Sequence, residues 1–156
     1  MNDETTIASI DFLVSLDTST TPYVLTVTGN NKVGKSNNKQ PLTWKLDGAL
    51  KHGEFVGMDD CRPGFEWLNW PPPDPAIFDK AQPQGKDKLA INDTNPITGG
   101  SEGRWYYKLR VLLNGQIYET PLTAPEPVDV DVDVDVDDPC TSKRMMVGNN
   151  PVIINR

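Results

Sequence analysis

Apolar and polar residues alternate with a period of two through most of this chain, a pattern that suits extended strands with one buried face. Ile10, Phe12, Val14 and Leu16 fall on one side of a strand, with Asp11, Ser15 and Asp17 on the other. Tyr23, Leu25 and Val27 repeat this against Thr26 and Thr28, and Leu42, Trp44 and Leu46 against Thr43 and Lys45. Phe55 with Val56, the segment Phe65 to Trp70, and Leu89 with Ile91 mark shorter strands, and Pro63-Gly64 signals a turn. The clearest strand is Arg104 to Leu113, with Trp105, Tyr107, Leu109, Val111 and Leu113 on one face and Arg104, Lys108 and Arg110 on the other. Asn114-Gly115 follows, the dipeptide that supplies two positive-φ residues for a type I′ hairpin, so Gln116 to Thr120 is the expected returning strand.

No window carries a helical stripe of useful length. A single helical turn is expected at Asp74, with Pro75 at its first position and Ile77 and Phe78 after it. Val152 to Ile154 forms a last short strand. With 14 prolines and 12 glycines to punctuate the strands, the expected fold is all-β. It is an antiparallel two-sheet sandwich, immunoglobulin-like or cupredoxin-like, of about eight to ten strands. Residues 1–156 read as one domain that includes an acidic Val-Asp segment at 128–138.

The formal net charge of −7 misleads as an average. Six of the 22 acidic residues lie between Asp129 and Asp138, leaving 16 against 15 basic residues elsewhere. No basic patch is present to neutralise phosphates, so nucleic acid is not an expected partner. Nor is a membrane, because no run approaches the roughly 20 apolar residues that a spanning helix needs. The acidic, polar start from Met1 to Thr6 is unlike a secretory signal, and the expectation is a cytoplasmic protein. Cys61 and Cys140 belong to no Cys-x-x-Cys pair; two free thiols in a reducing compartment are the expected reading, and a bridge needs an oxidising location that the N-terminus does not advertise.

Gly29 to Ser36 matches the phosphate-binding pattern G-x-x-x-x-G-K-[ST] and follows an apolar strand. In a true phosphate loop the backbone amides wrap the phosphates, the lysine reaches them and the hydroxyl binds magnesium. That geometry needs a helix starting at the lysine. Asn37-Asn38-Lys39-Gln40-Pro41 cannot supply one, since asparagine is a poor helix former and Pro41 stops propagation. The letters are expected to form a loop between strands, with nucleotide binding as an unfavoured alternative.

Asp129, Asp131, Asp133, Asp135 and Asp137 would line one face of an extended strand, about 6.5–7 Å apart. Neighbouring carboxylates suit a hard cation such as calcium, although calcium loops curl around the ion and a straight strand does not. The alternatives are an edge strand that faces water and repels other edges, or a mutually repelling acidic segment. A blue-copper site needs two histidines and a cysteine, and His52 is the only histidine, so Cys140, Met145 and Met146 leave that ligand set incomplete. No catalytic set assembles around His52, and neither an enzyme nor a cofactor is expected. The segment from Phe65 to Pro75 holds Trp67 and Trp70 ahead of three prolines. Those tryptophans are candidate partner-binding residues, because exposed indoles stack on sugars or anchor protein partners. The competing reading closes the end of the sandwich with them.

The opening Ile10-Asp11-Phe12-Leu13-Val14-Ser15-Leu16-Asp17-Thr18, together with Asp138-Pro139 and Pro151-Val152-Ile153-Ile154, resembles small bacterial β-sandwich proteins of the inclusion-body (PixA/AidA) type. The likeness is confined to the two ends and implies a bacterial sandwich of loosely defined role, with no substrate or functional residue attached. Together these readings point to a non-catalytic β-sandwich that acts by association, through self-assembly or by binding a protein or glycan. A calcium-responsive module on the aspartate strand is the alternative.

Overall fold

The computed structural model describes residues 9–69, 71–120 and 151–156. In chain order the strands are β1 (Ile10–Asp17), β2 (Val24–Thr28), β3 (Lys32–Val33), β4 (Gln40–Leu46), β5 (Glu54–Phe55), β6 (Phe65–Trp67), β7 (Gln82–Pro83), β8 (Lys88–Asp93), β9 (Gly103–Leu113), β10 (Gln116–Glu119) and β11 (Val152–Asn155). They build an all-β sandwich of two mixed sheets. One sheet runs β2-β1-β4-β8-β7; the other runs β10-β9-β11-β3, with β5 and β6 also paired to β9.

The expectation of purely antiparallel sheets needs correction at two pairings: β1 with β4 and β3 with β11 run parallel. The chain makes the β1–β2 hairpin, crosses to the second sheet for β3 and returns to lay β4 beside β1. The excursion reverses direction twice, so β4 arrives parallel to the strand it joins.

β9 organises the second sheet. The amides of Tyr107 and Leu109 point to one edge, where they donate to the Pro151 carbonyl (3.1 Å) and to Thr120 Oγ1 (3.1 Å). That edge carries β10 opposite Arg110–Leu113 and β11 opposite Gly103–Tyr106. The other edge carries β5 opposite Val111 and Leu112 and β6 opposite Tyr107–Leu109. The hairpin into β10 forms as its sequence dictates, with Asn114 at φ 51° and Gly115 at φ 79°, both in the left-handed region.

The expected inward faces are the buried ones. Phe12, Val14, Leu25, Leu42, Trp44, Leu46, Leu89, Ile91, Tyr107, Leu109 and Val111 form one core. Trp44 lies at its centre, ring centroids 5.1 Å from Phe12, 5.2 Å from Phe65 and 5.3 Å from Tyr107. Its buried Nε1–H donates to Tyr107 Oη at 3.0 Å and so joins β4 of one sheet to β9 of the other. Burial pushes the Tyr107 hydroxyl above the ordinary phenol range, so it stays neutral.

The turn expected at Asp74 is present. Ala76 N–H donates to Asp74 Oδ1 (2.8 Å) and Ile77 N–H to the Asp74 carbonyl (2.8 Å). A short 3-10 segment, Gly48–His52, was not legible; it buries only Leu50, too little to leave a periodic signal.

Tyr107→Phe deletes the acceptor and leaves the Trp44 N–H buried without a partner. The expected cost is about 1–3 kcal/mol, read as a lower urea midpoint at unchanged slope. An unchanged midpoint would show that the bond adds nothing.

Candidate functional site

The sequence candidates do not converge on one place. Trp67, in β6, is half-buried and packs into the core, with its ring 4.9 Å from Phe65, 4.6 Å from Phe78 and 6.3 Å from Tyr107. Its register partner is Tyr107, so both rings face inward. Trp67 therefore occupies the position that the packing alternative expected. Trp70 lies outside the described residues, as do Asp129, Asp131, Asp133, Asp135 and Asp137 with the rest of the Val-Asp segment. Among the described residues no group of three or more His, Cys, Asp or Glu side chains is placed to hold a metal ion. No helix among them is long and apolar enough to cross a membrane. Cys61 is disulfide-bonded, in contrast to the free thiol that a reducing compartment would leave.

The phosphate-loop match resolves into ordinary β structure. Lys32 and Val33 form β3, paired with β11, with Val33 fully buried. No helix follows Ser36; β4 begins at Gln40. Gly29 sits at φ +143°, and a Cβ there would meet the Asp11 carbonyl and the Phe12 ring at 2.8 Å each, so close backbone approach explains the glycine. Lys35 pairs with Glu102, and the Lys35 hydrogen bond is the main reason the Glu102 carboxyl lies down at about 2.

A different set of residues is brought together where the edge strands β2 and β10 meet. A cleft of about 290 Å³ there is lined by Pro22, Tyr23, Lys108, Ile117, Tyr118 and Glu119 among others. A second depression of about 580 Å³ shares Pro22, Val24 and Thr120 with it and continues along β2. Tyr23 and Ile117 stand at the lip, 46% and 50% exposed. Tyr23, expected to point inward with Leu25 and Val27, instead precedes β2 at the rim and stacks on Tyr118, centroids 6.4 Å apart.

Charged residues on the outer face of β9 form the polar side of this site. Lys108 and Arg110 lie on the polar face opposite the apolar one, as expected, yet they are only 6% and 2% exposed. Lys108 Nζ lies 3.2 Å from Glu119, while Arg110 reaches Glu119 and Glu66 at 2.9 Å each. Arg110 also donates to the Pro63 carbonyl at 2.9 Å. Burial pushes the Lys108 amine down, with Glu119 opposing the shift. Burial acts to raise the Glu119 carboxyl, but the Lys108 charge and hydrogen bonds from Arg110 and Lys108 outweigh it and hold the group low. The signal for this network was the opposite charges of Glu66 and Glu119 flanking Lys108 and Arg110. It could be read only with the strand register in hand, which pairs Glu66 with Lys108 and Glu119 with Arg110.

No protein-family model matches the chain, and no curated protein is detectably similar to it.

Because Glu119 is held low, its pairing stabilises the fold above the ordinary glutamate range and is lost as pH falls through the folded value. Glu119→Gln is expected to cost about 1–3 kcal/mol at neutral pH, discounted for the partial exposure of Glu119. The deficit should shrink in acid, where the native glutamate is itself protonated. Urea melts of both proteins across pH check this, and a deficit that does not vary with pH would contradict it.

Proposed function

We propose that this chain works by association, and that the seam between β2 and β10 is its docking surface, with a second copy of the chain as partner. The observation that carries the reading is the exposure of Tyr23 and Ile117 at the lip of a cleft flanked by two edge strands. Among the described residues β2 pairs only with β1 and β10 only with β9, so each is an edge strand there, the kind of element that can accept a further strand. The seam's own charges are matched within the chain, since Lys108 and Arg110 pair with Glu119 and Glu66. Outside residues 129–138 acidic and basic residues nearly balance, so two seams can meet without strong repulsion. Apolar side chains ringed by satisfied polar groups match the usual anatomy of an isologous contact.

A glycan is the second reading. The exposed Tyr23 ring beside Lys108 and Glu119 offers a stacking face next to hydrogen-bonding groups, as sugar sites require. The likeness of the chain ends to inclusion-body sandwich proteins fits self-assembly.

Sedimentation of the full chain over a dilution series tests the leading reading. The expected result is a concentration-dependent oligomer that the Tyr23→Ser/Ile117→Ser double variant abolishes while its circular dichroism stays unchanged. A monomer at every concentration overturns self-association, and retention on a glycan array lost in the same variant then identifies the second reading.

A further inference from the structure

Asp93, at the end of β8, is completely buried, and Asn155, at the end of β11, is 2% exposed. These strands belong to opposite sheets. Asn155 Nδ2 donates to Asp93 Oδ1 at 3.0 Å and to the Ser101 carbonyl at 3.1 Å. Both amide hydrogens are thereby committed to acceptors, which fixes the orientation of the amide. Two buried oxygens are left with no hydrogen-bond partner, Asp93 Oδ2 and Asn155 Oδ1. The surrounding donors are already engaged. Asn95 Nδ2 donates to the carbonyls of Val33, Gly34 and Arg156, Ser101 Oγ donates to Asn95 Oδ1, and Trp105 Nε1 donates to the Ser101 carbonyl.

Two buried acceptors on one hydrogen-bonded pair, neither reached by a donor among the described residues, is a costly arrangement for a carboxylate. A single proton on Asp93 Oδ2 turns one acceptor into a donor and satisfies both oxygens at once. We propose that Asp93 is a neutral carboxylic acid in the native protein, that its hydroxyl donates to Asn155 Oδ1, and that the resulting acid–amide ring is a proton-controlled latch holding β11 against β8.

The groups facing Asp93 support this. β4 presents Gln40 in register, and Phe78 forms a bridge to Asp93. The charged residues adjacent in sequence to these positions are otherwise engaged or exposed. Asp79 accepts two hydrogen bonds from Asn92, Glu102 is paired with Lys35, and Lys39 and Arg156 are exposed. None of them contributes to the acidity of Asp93; burial raises its pKa to about 7, with the Asn155 hydrogen bond acting in the opposite direction.

A raised carboxyl pKa means that the folded state binds the proton more tightly than the unfolded chain. The contribution of Asp93 to stability is therefore fully present below the unfolded value near 4 and declines as pH rises through the folded value near 7. This is opposite in sign to the Glu119 contribution. Asp93→Asn supplies the same donor and acceptor without a titrating proton. The folding equilibrium constant of the native protein is expected to fall, relative to Asp93→Asn, by up to tenfold per pH unit between about 4 and 7. Amides of Ile153 to Asn155 should lose protection over the same range in the native protein only. Parallel pH profiles for the two proteins overturn the latch. The carboxyl carbon of Asp93, followed by NMR in the native protein, gives a readout independent of whether the variant folds. A midpoint near neutrality is expected, and a midpoint near 4 refutes the proposal.

Discussion

The two sheets are held face to face by an aromatic core in which the buried Trp44 indole N–H finds its partner inside the core. Trp44 buries its whole side chain between the layers, and its indole N–H would cost energy there without a partner. Tyr107 supplies that partner from the opposite sheet at 3.0 Å. The bond is directional where apolar contacts are not, so it fixes how β4 sits over β9 as well as how strongly. Everything attached to β9 inherits that placement: β10 and β11 along one edge, β5 and β6 along the other.

The strands were legible because one face of each is buried, and burial writes itself into sequence as alternation. Phe12 and Val14 in β1, Leu42, Trp44 and Leu46 in β4, and Leu89 with Ile91 in β8 all lie where alternation puts them. The Asn114-Gly115 hairpin was legible for a different reason, since few residues adopt two successive left-handed conformations. Strand direction left no such mark. Nothing in the letters of β1 and β4 distinguishes parallel from antiparallel pairing, because side chains alternate the same way in both. The parallel pairings follow from a chain crossing that only the topology shows.

The site was less legible. Lys108 and Arg110 fall on the polar face of β9 as alternation puts them, but alternation reports polarity and not exposure, and both are buried. Their burial depends on Glu66 and Glu119, each brought alongside by register from a separate strand. Trp67 illustrates the converse. Its sequence left a partner-binding surface and core packing both open, and its packing against Phe65 of the same strand and Phe78 from a neighbouring turn becomes visible only in the fold. Asp93 and Asn155 stand 62 positions apart, and each ends its strand as an unremarkable polar residue. Their coupling is visible only once β8 and β11 are placed on opposite sheets.

Amide and indole hydrogen exchange tests most directly whether the Trp44–Tyr107 contact governs the fold. If it does, the Trp44 indole proton and the amides of Tyr107, Leu109 and Val111 should exchange only through global unfolding, with protection that matches the stability measured by denaturant. Exchange of the indole proton by a faster local opening, while the β9 amides keep full protection, would show that the sheets hold together without it.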